Sequence, residues 1–283
     1  MKREPPERVA DYAPLLFPGL MLLVFFVVPF GTMTAVSFFR REQGGFYTPD
    51  FVFSNYERFL SPFFGNVLGF SILLAVAVAL TCVTLALPFT FLLSRMPRRA
   101  QVVWLVALLS VLSLSEVITG FAWSTLLSRT AGITNILVAL GLMENARALV
   151  PSLGAVLTAM VYQAFPYTVL VMYPALVRLD PTLLEAAKTL GATPLRAFFH
   201  VVVPALRNTL VATTIMVFVF ALGSYLLPQI LGRPSHWTLS VLITDQAIYQ
   251  SNMPFAAAMA VLLVLLSLAL VGLTSLVGRK DAP

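Results

Sequence analysis

Residues 180–207 read DPTLLEAAKTLGATPLRAFFHVVVPALR, a polar stretch with two helix starts, set between apolar runs at 148 to 177 and 208 to 232. Asp180 followed by Pro181 begins the first helix. The carboxylate can accept from the opening backbone N–H groups, and proline at the first helical position gives up a donor that has no partner there. Leu183 to Leu190 are good helix formers, and Gly191 stands where a left-handed residue would end the turn. The spacing predicts a helix of about ten residues, roughly 15 Å long. Thr193 and Pro194 repeat the start signal. Leu195, Phe198, Phe199 and Val202 then fall at i, i+3, i+4 and i+7, which gives a second helix one apolar stripe until Pro204 interrupts it.

The surroundings explain why such a segment is unusual. Of 283 residues, 59% are hydrophobic and 11% charged, with a mean hydropathy of +0.91, whereas a soluble domain carries about 25% charged residues. The chain is therefore integral to a membrane. Stretches without charge run from 12 to 39, 59 to 94, 100 to 128 (interrupted by Glu116), 148 to 177, 208 to 232 and 246 to 278. Each is long enough for a helix of about 20 apolar residues to cross the hydrocarbon. None shows the alternating ten-residue segments of barrel strands. Six transmembrane helices are expected, near 14–38, 66–94, 101–127, 150–177, 209–231 and 255–277. The first run is too long for a signal peptide and is followed by FFRREQ rather than a small-residue cleavage site.

Six spans put both termini on one side, together with Arg95, Arg98, Arg99, Arg178, Lys188, Arg196 and Arg207. That side holds twelve of the 18 Lys and Arg residues. Arg40, Arg41, Arg58, Arg129, Arg147 and Arg233 are left on the other. The positive-inside rule places the termini and the 180–207 segment in the cytoplasm. The net charge of +6 is then a topology signal, and no nucleic-acid partner is expected. The loops are too short for a domain of their own, so residues 1–283 read as a single transmembrane domain. No inverted repeat is visible, which weakens a reading as a secondary transporter built from repeats. Pro29, Pro88, Pro166, Pro174 and Pro228 fall within spans and read as kinks, first of all because proline is more frequent in membrane helices; the functional alternative is that Pro166 and Pro228 break helices beside a substrate path.

Several chemistries are excluded. His200, His236 and Cys82 are the only residues of their types, too few for a zinc site, and one cysteine forms no disulfide within the chain. A phosphate-cradling GxxxxGK loop is missing, since Lys2, Lys188 and Lys280 all lack that context. Nucleotide energy, if used, must be bound by another chain.

Within 180–207, Leu183, Leu184 and Leu190 offer apolar contact, Glu185 a carboxylate, and Ala186 and Ala187 a thin profile suited to a groove. The same pattern suits an interfacial helix on lipid headgroups, with Arg196 and Arg207 as anchors. The physical pattern divides evenly between the two. However, EAAKTLGATPLRAFFHVVVP resembles the EAA loop of the membrane subunits of bacterial ABC importers: Glu185, Ala186, Ala187, Gly191, Ala192 and Pro204 fall on that pattern at its spacing. FSNYERFLSPFFGNVLGFSILLAVAVAL and YLLPQILGRP resemble the spermidine/putrescine branch of those permeases. The chain departs at Asn208, where many relatives have a second proline, and at Ser224, where relatives often carry an acid.

The resemblance implies an all-α, type I ABC importer permease (MetI-like) fold of six transmembrane helices. A cytoplasmic coupling helix between spans 4 and 5 would carry Leu184, Glu185, Ala186, Ala187, Leu190 and Gly191 to the ATPase. It also implies a second permease subunit in a heterodimer, an ATPase dimer that uses ATP and Mg, an extracytoplasmic binding protein, and a bacterial inner-membrane location among lipid. The chain itself would be non-catalytic and bind no cofactor or metal. The implied solute is a polyamine, opine or related small organic compound, and the missing acid at Ser224 argues against a cationic polyamine.

Inside the spans, Glu116 is the one charged residue far from an end. A carboxylate there costs about 2.5 to 3.5 kcal/mol on insertion scales, so it should face the interior or a cavity, as an inter-helix contact or as a gate. Trp123, Tyr162, Gln163, Tyr167, Ser224, Tyr225 and Gln229 are further candidates to line a translocation path. The rival classes are a secondary transporter or channel working without an ATPase, and a membrane enzyme, for which no acid or histidine cluster is visible.

Overall fold

The computed structural model describes residues 13–42, 44–130 and 132–279; Lys2, Arg3, Arg8 and Lys280, counted in the charge asymmetry, lie outside them. Among the described residues the regular secondary structure is helical, apart from one antiparallel bridge between Arg40 and Thr48. In chain order the principal helices are α1 (Phe17–Val36) and α2 (Pro62–Arg95), α3 (Arg98–Leu112) and α4 (Glu116–Leu126), and α5 (Leu153–Val177). Then come α6 (Pro181–Thr189), α7 (Pro194–Ala205), α8 (Arg207–Gly223), α9 (Leu226–Leu231) and α10 (Met253–Arg279).

Four helices, α1, α2, α5 and α10, are each long and apolar enough to cross a membrane alone. The third and fifth runs do not form the continuous helices expected. The third bends by 93° between α3 and α4, because Ser115 leaves helical geometry and caps a new helix. The fifth stops at Gly223, where Ser224 and Tyr225 turn the chain into α9. Its other end bends by 73° between α7 and α8. Among the described residues the total is therefore four, or up to six if each bent pair makes one crossing. Pro166 does not break its helix, against the functional alternative: it lies within the unbroken α5, as does Pro174. Pro228 lies inside the first turn of α9, where backbone N–H groups lack intrahelical partners in any case.

The described residues fall into two compact units. The first comprises the described residues of 13–61 and 243–264. Here Phe38 stacks on Phe51 at 4.9 Å and tilts against Tyr56 at 5.1 Å. Asn55 Nδ2 donates to the carbonyls of Ser37 and Phe39, and the Arg58 guanidinium lies 4.4 Å over the Phe255 ring. No residue of the most apolar part of α1 is buried.

The second unit, the described residues of 62–242 with 265–279, is centred on α2, α5 and α8. Ala75, Val78, Ala79, Cys82 and Ala86 recur at helical spacing along α2 and are buried. On α5 the buried positions are again mostly small: Ala155, Val156, Ala159, Met160 and Ala164. Small side chains let membrane helices approach closely where no hydrophobic effect drives them together.

Candidate functional site

The 180–207 segment is held by its own backbone chemistry. Asp180 Oδ1 accepts from the Thr182 N–H at 2.9 Å, and hydrogen bonds from Thr182 hold the Asp180 carboxyl below its usual range. At the other end Gly191 has φ +81°. Its N–H donates to the Lys188 carbonyl, and the Ala192 N–H reaches the Ala187 carbonyl, both at 2.9 Å. These two bonds form a Schellman end, which needs a residue in the left-handed region, and glycine enters it without the Cβ clash. Thr193 Oγ1 then accepts from Arg196 N–H at 3.4 Å and starts α7. Within α7, Phe198–Val202 forms a π turn.

The six residues expected on the docking helix divide between two faces. Leu184 and Ala187 are buried in an apolar cluster with Leu93, Leu176, Ala197 and Val202. Glu185, Ala186, Leu190 and Gly191 are exposed, Leu190 at 88%. Three residues make close to one helical turn, so 184 and 187 share a side and anchor the helix to its own chain. The outward face consists of Glu185, Ala186 and Leu190, joined by Leu183.

The second cluster is where the broken helices meet. Ser115 caps α4 by accepting from Val117 N–H at 3.3 Å, which makes Glu116 the first residue of a helix rather than the middle of one. Ser224, in the break after α8, donates its Oγ to Glu116 Oε1 at 2.9 Å. The helices after the breaks also touch: a Cβ on Gly120 would lie 2.9 Å from Ile230 Cδ1 and 3.6 Å from Leu227 Cδ2. The carbonyls left free at the end of α8 are satisfied by side chains. Ser240 Oγ donates to the Leu222 carbonyl at 2.7 Å, and Thr238 Oγ1 lies 3.5 Å from that of Ser224. Ser71 Oγ accepts from the Leu239 N–H at 2.8 Å and holds that strap to α2.

Of the other path candidates, Trp123 and Tyr162 meet edge to face at 5.6 Å. They line a cavity of about 220 Å³ with Leu114, Ile118 and Thr119. Thr119 Oγ1 and Gln163 Oε1 are buried without hydrogen-bond partners, a condition that costs about 1 to 3 kcal/mol and is met by water or a ligand group where one can enter. Tyr167 stacks on Phe220 at 5.9 Å. Tyr225 is 38% exposed, and Gln229 lies one turn further along α9.

Two features escape a reading of the sequence. Ser115 with Glu116 in the following turn is a helix-start signal, hidden by apolar residues on both sides. Gln101 donates to the carbonyls of Ser94 and Met96 and accepts from Tyr173 OH at 2.7 Å, which fastens the turn between α2 and α3 to α5. No group of three or more His, Cys, Asp or Glu that could hold a metal occurs among the described residues.

Comparisons with known proteins agree with this architecture. The profile of the binding-protein-dependent transport system inner membrane component family matches residues 84–280. The spermidine/putrescine transport system permease protein PotB of Escherichia coli (strain K12) is 27% identical over 244 residues, covering 86% of this chain and 89% of that protein. In the crystal structure of a bacterial ABC transporter involved in the import of the acidic polysaccharide alginate, a chain superposes with a TM-score of 0.78 at 16% identity, over 97% of this chain and 96% of its own. A second structure, the alginate transporter in complex with an alginate pentasaccharide-bound periplasmic protein, gives 0.75 at 17% identity over 96% and 94%.

Proposed function

The chain belongs to the family of binding-protein-dependent transport system inner membrane components, as an ABC importer permease subunit, and from that membership we propose that α6 is its coupling helix, docked in a cleft of a separate ATPase subunit. The observation that carries the reading is the division of α6 into two faces. Leu184 and Ala187 fasten it to the core, while Glu185, Ala186 and Leu190 lie bare to receive a partner. A helix held on one side transmits a push without slipping.

In this reading each bent pair makes one crossing, six in all, with both termini and α6 in the cytoplasm. A second, different permease subunit completes the path, an ATPase dimer uses ATP and Mg, and an extracytoplasmic binding protein delivers the solute. This chain binds no cofactor and catalyses no reaction. Closure of the ATPases draws the coupling helices together and shifts the bundle between two packings, because the partner contacts differ in the two states.

The path runs by Glu116 and Ser224, with Trp123, Tyr162, Gln163, Tyr167, Tyr225 and Gln229 along it. Ser224 stands where an acid would be expected from the resemblance, but Glu116 brings a carboxylate to that hydroxyl from another helix. Glu116 has no Lys, Arg or His within ion-pair distance among the described residues. An intramembrane carboxylate without a counter-charge favours cargo that supplies one, so a protonated amine in a polyamine, opine or related small organic solute fits the site. The test is co-purification of the ATPase and uptake in proteoliposomes with Glu185→Arg. Unchanged assembly and uptake would remove α6 from the docking role.

A further inference from the structure

α2 and α7 wall an open groove of about 530 Å³. Leu87, Phe91 and Leu92 form one wall, and Leu195, Phe199 and Val203 the other. The walls are open to the surroundings: Leu92 is 60%, Leu195 71% and Phe199 57% exposed. Along α2 the groove extends from Val83 to Leu92, about 14 Å at 1.5 Å per residue. That is close to half of a hydrocarbon core about 30 Å thick, or one leaflet.

Two cations adjoin the lining residues. Beyond Leu92 the Arg95 guanidinium lies 5.2 Å over the Phe91 ring, and Arg196 follows Leu195 on the exposed side of α7. Neither arginine has a carboxylate within ion-pair distance among the described residues. An apolar occupant as long as a leaflet, with an anionic group for these arginines, suits both features.

We propose that the groove holds an acyl chain of an anionic phospholipid whose phosphate is bound by Arg95 and Arg196. The lipid braces α7 against α2. Because Leu87 of α2, Ala197 and Val202 of α7, and Leu184 and Ala187 of α6 share one buried cluster, bracing α7 also steadies α6. The inference rests on reading α2 as a span, and through α6 it links lipid composition to the coupling proposed above.

The experiment measures lipid binding to the intact transporter complex in detergent by native mass spectrometry. Phosphatidylglycerol is titrated against phosphatidylcholine of the same chains. One phosphatidylglycerol should bind with at least tenfold preference. Arg95→Ser with Arg196→Ser should weaken it by roughly 10- to 30-fold, as expected for about 1 kcal/mol per arginine near an anionic surface. Leu195→Trp, at an exposed position where folding is not at stake, should reduce binding of both lipids by narrowing the groove. Millimolar inorganic phosphate should not compete, which separates a lipid site from a phosphate site. Equal binding of the two lipids in the parent and the double-serine variant would overturn the proposal. So would efficient cross-linking of a cysteine at Leu195 to the second permease subunit or the ATPase, since the groove would then be a protein interface. Binding is read without transport, so failure here is distinct from failure of the coupling role.

Discussion

The turn at Gly191 and the junction at Glu116 both interrupt helices in the same unit, but they are built differently. Around Gly191 every bond closes within six residues: Asp180 caps the start, Thr193 caps the next helix, and the Lys188 and Ala187 carbonyls take the N–H groups beyond the end. At the junction the partners are far apart in sequence, with Ser224 donating to Glu116 across 108 positions. The first interruption is a rigid local bracket. The second is a seam between two helices, and a seam can open without unfolding either. This contrast fits a docking element at one site and a moving path at the other.

The comparison can be broken at four places. Gly191→Asp should have the largest effect, because it puts a side chain at φ +81°, a conformation that costs other L-residues about 1 to 2 kcal/mol, and sets a new charge beside the proposed docking face. Uptake should fall by more than tenfold and the ATPase should no longer co-purify. If both persist, the bracket has no role in docking. Glu116→Gln comes next: the amide still accepts from Ser224, so the complex should assemble, while uptake slows by about tenfold as the charge is lost. Normal uptake kinetics in that variant would reduce Glu116 to a structural contact.

Gly120→Val should destabilise the detergent-solubilised complex by about 1 to 3 kcal/mol, the usual range for overpacking, because the new carbon meets Ile230. Gly120→Ala should cost much less, since only the mobile end of Ile230 must move. Equal melting temperatures for Val and wild type would show that α4 and α9 already stand apart. The smallest effect belongs to Asp180. Its carboxyl is held below its usual range by bonds from Thr182, so the stability it adds is fully present above the unfolded value and is lost as the pH falls through the lower folded value. Asp180→Asn retains the acceptor and should leave limited proteolysis of 180–207 unchanged at pH 7. Asp180→Ala should increase cleavage there.

Much of the first site was legible in the sequence, because Asp180–Pro181, Gly191 and Thr193–Pro194 each specify backbone geometry through side chains that act on their nearest neighbours. The helix, its Schellman end and the second start all stand where those residues put them. Which face would be buried was less clear. An apolar pattern of Leu183, Leu184 and Leu190 does not say that Leu184 is covered by the chain's own core and Leu190 by nothing. At the junction the apolar run concealed the breaks, since hydropathy counts residues and does not register a cap such as Ser115.

What the sequence by itself determined was membrane residence, the apolar runs and the capped helix at 181–189, all of which depend on composition or on contacts a few residues long. Only the tertiary structure decided that Glu116 and Ser224 meet, that α4 and α9 close over Gly120, and that Leu184 and Ala187 turn inward. Those outcomes depend on how helices distant in sequence pack, and a pairing across more than a hundred residues has no local signal to announce it.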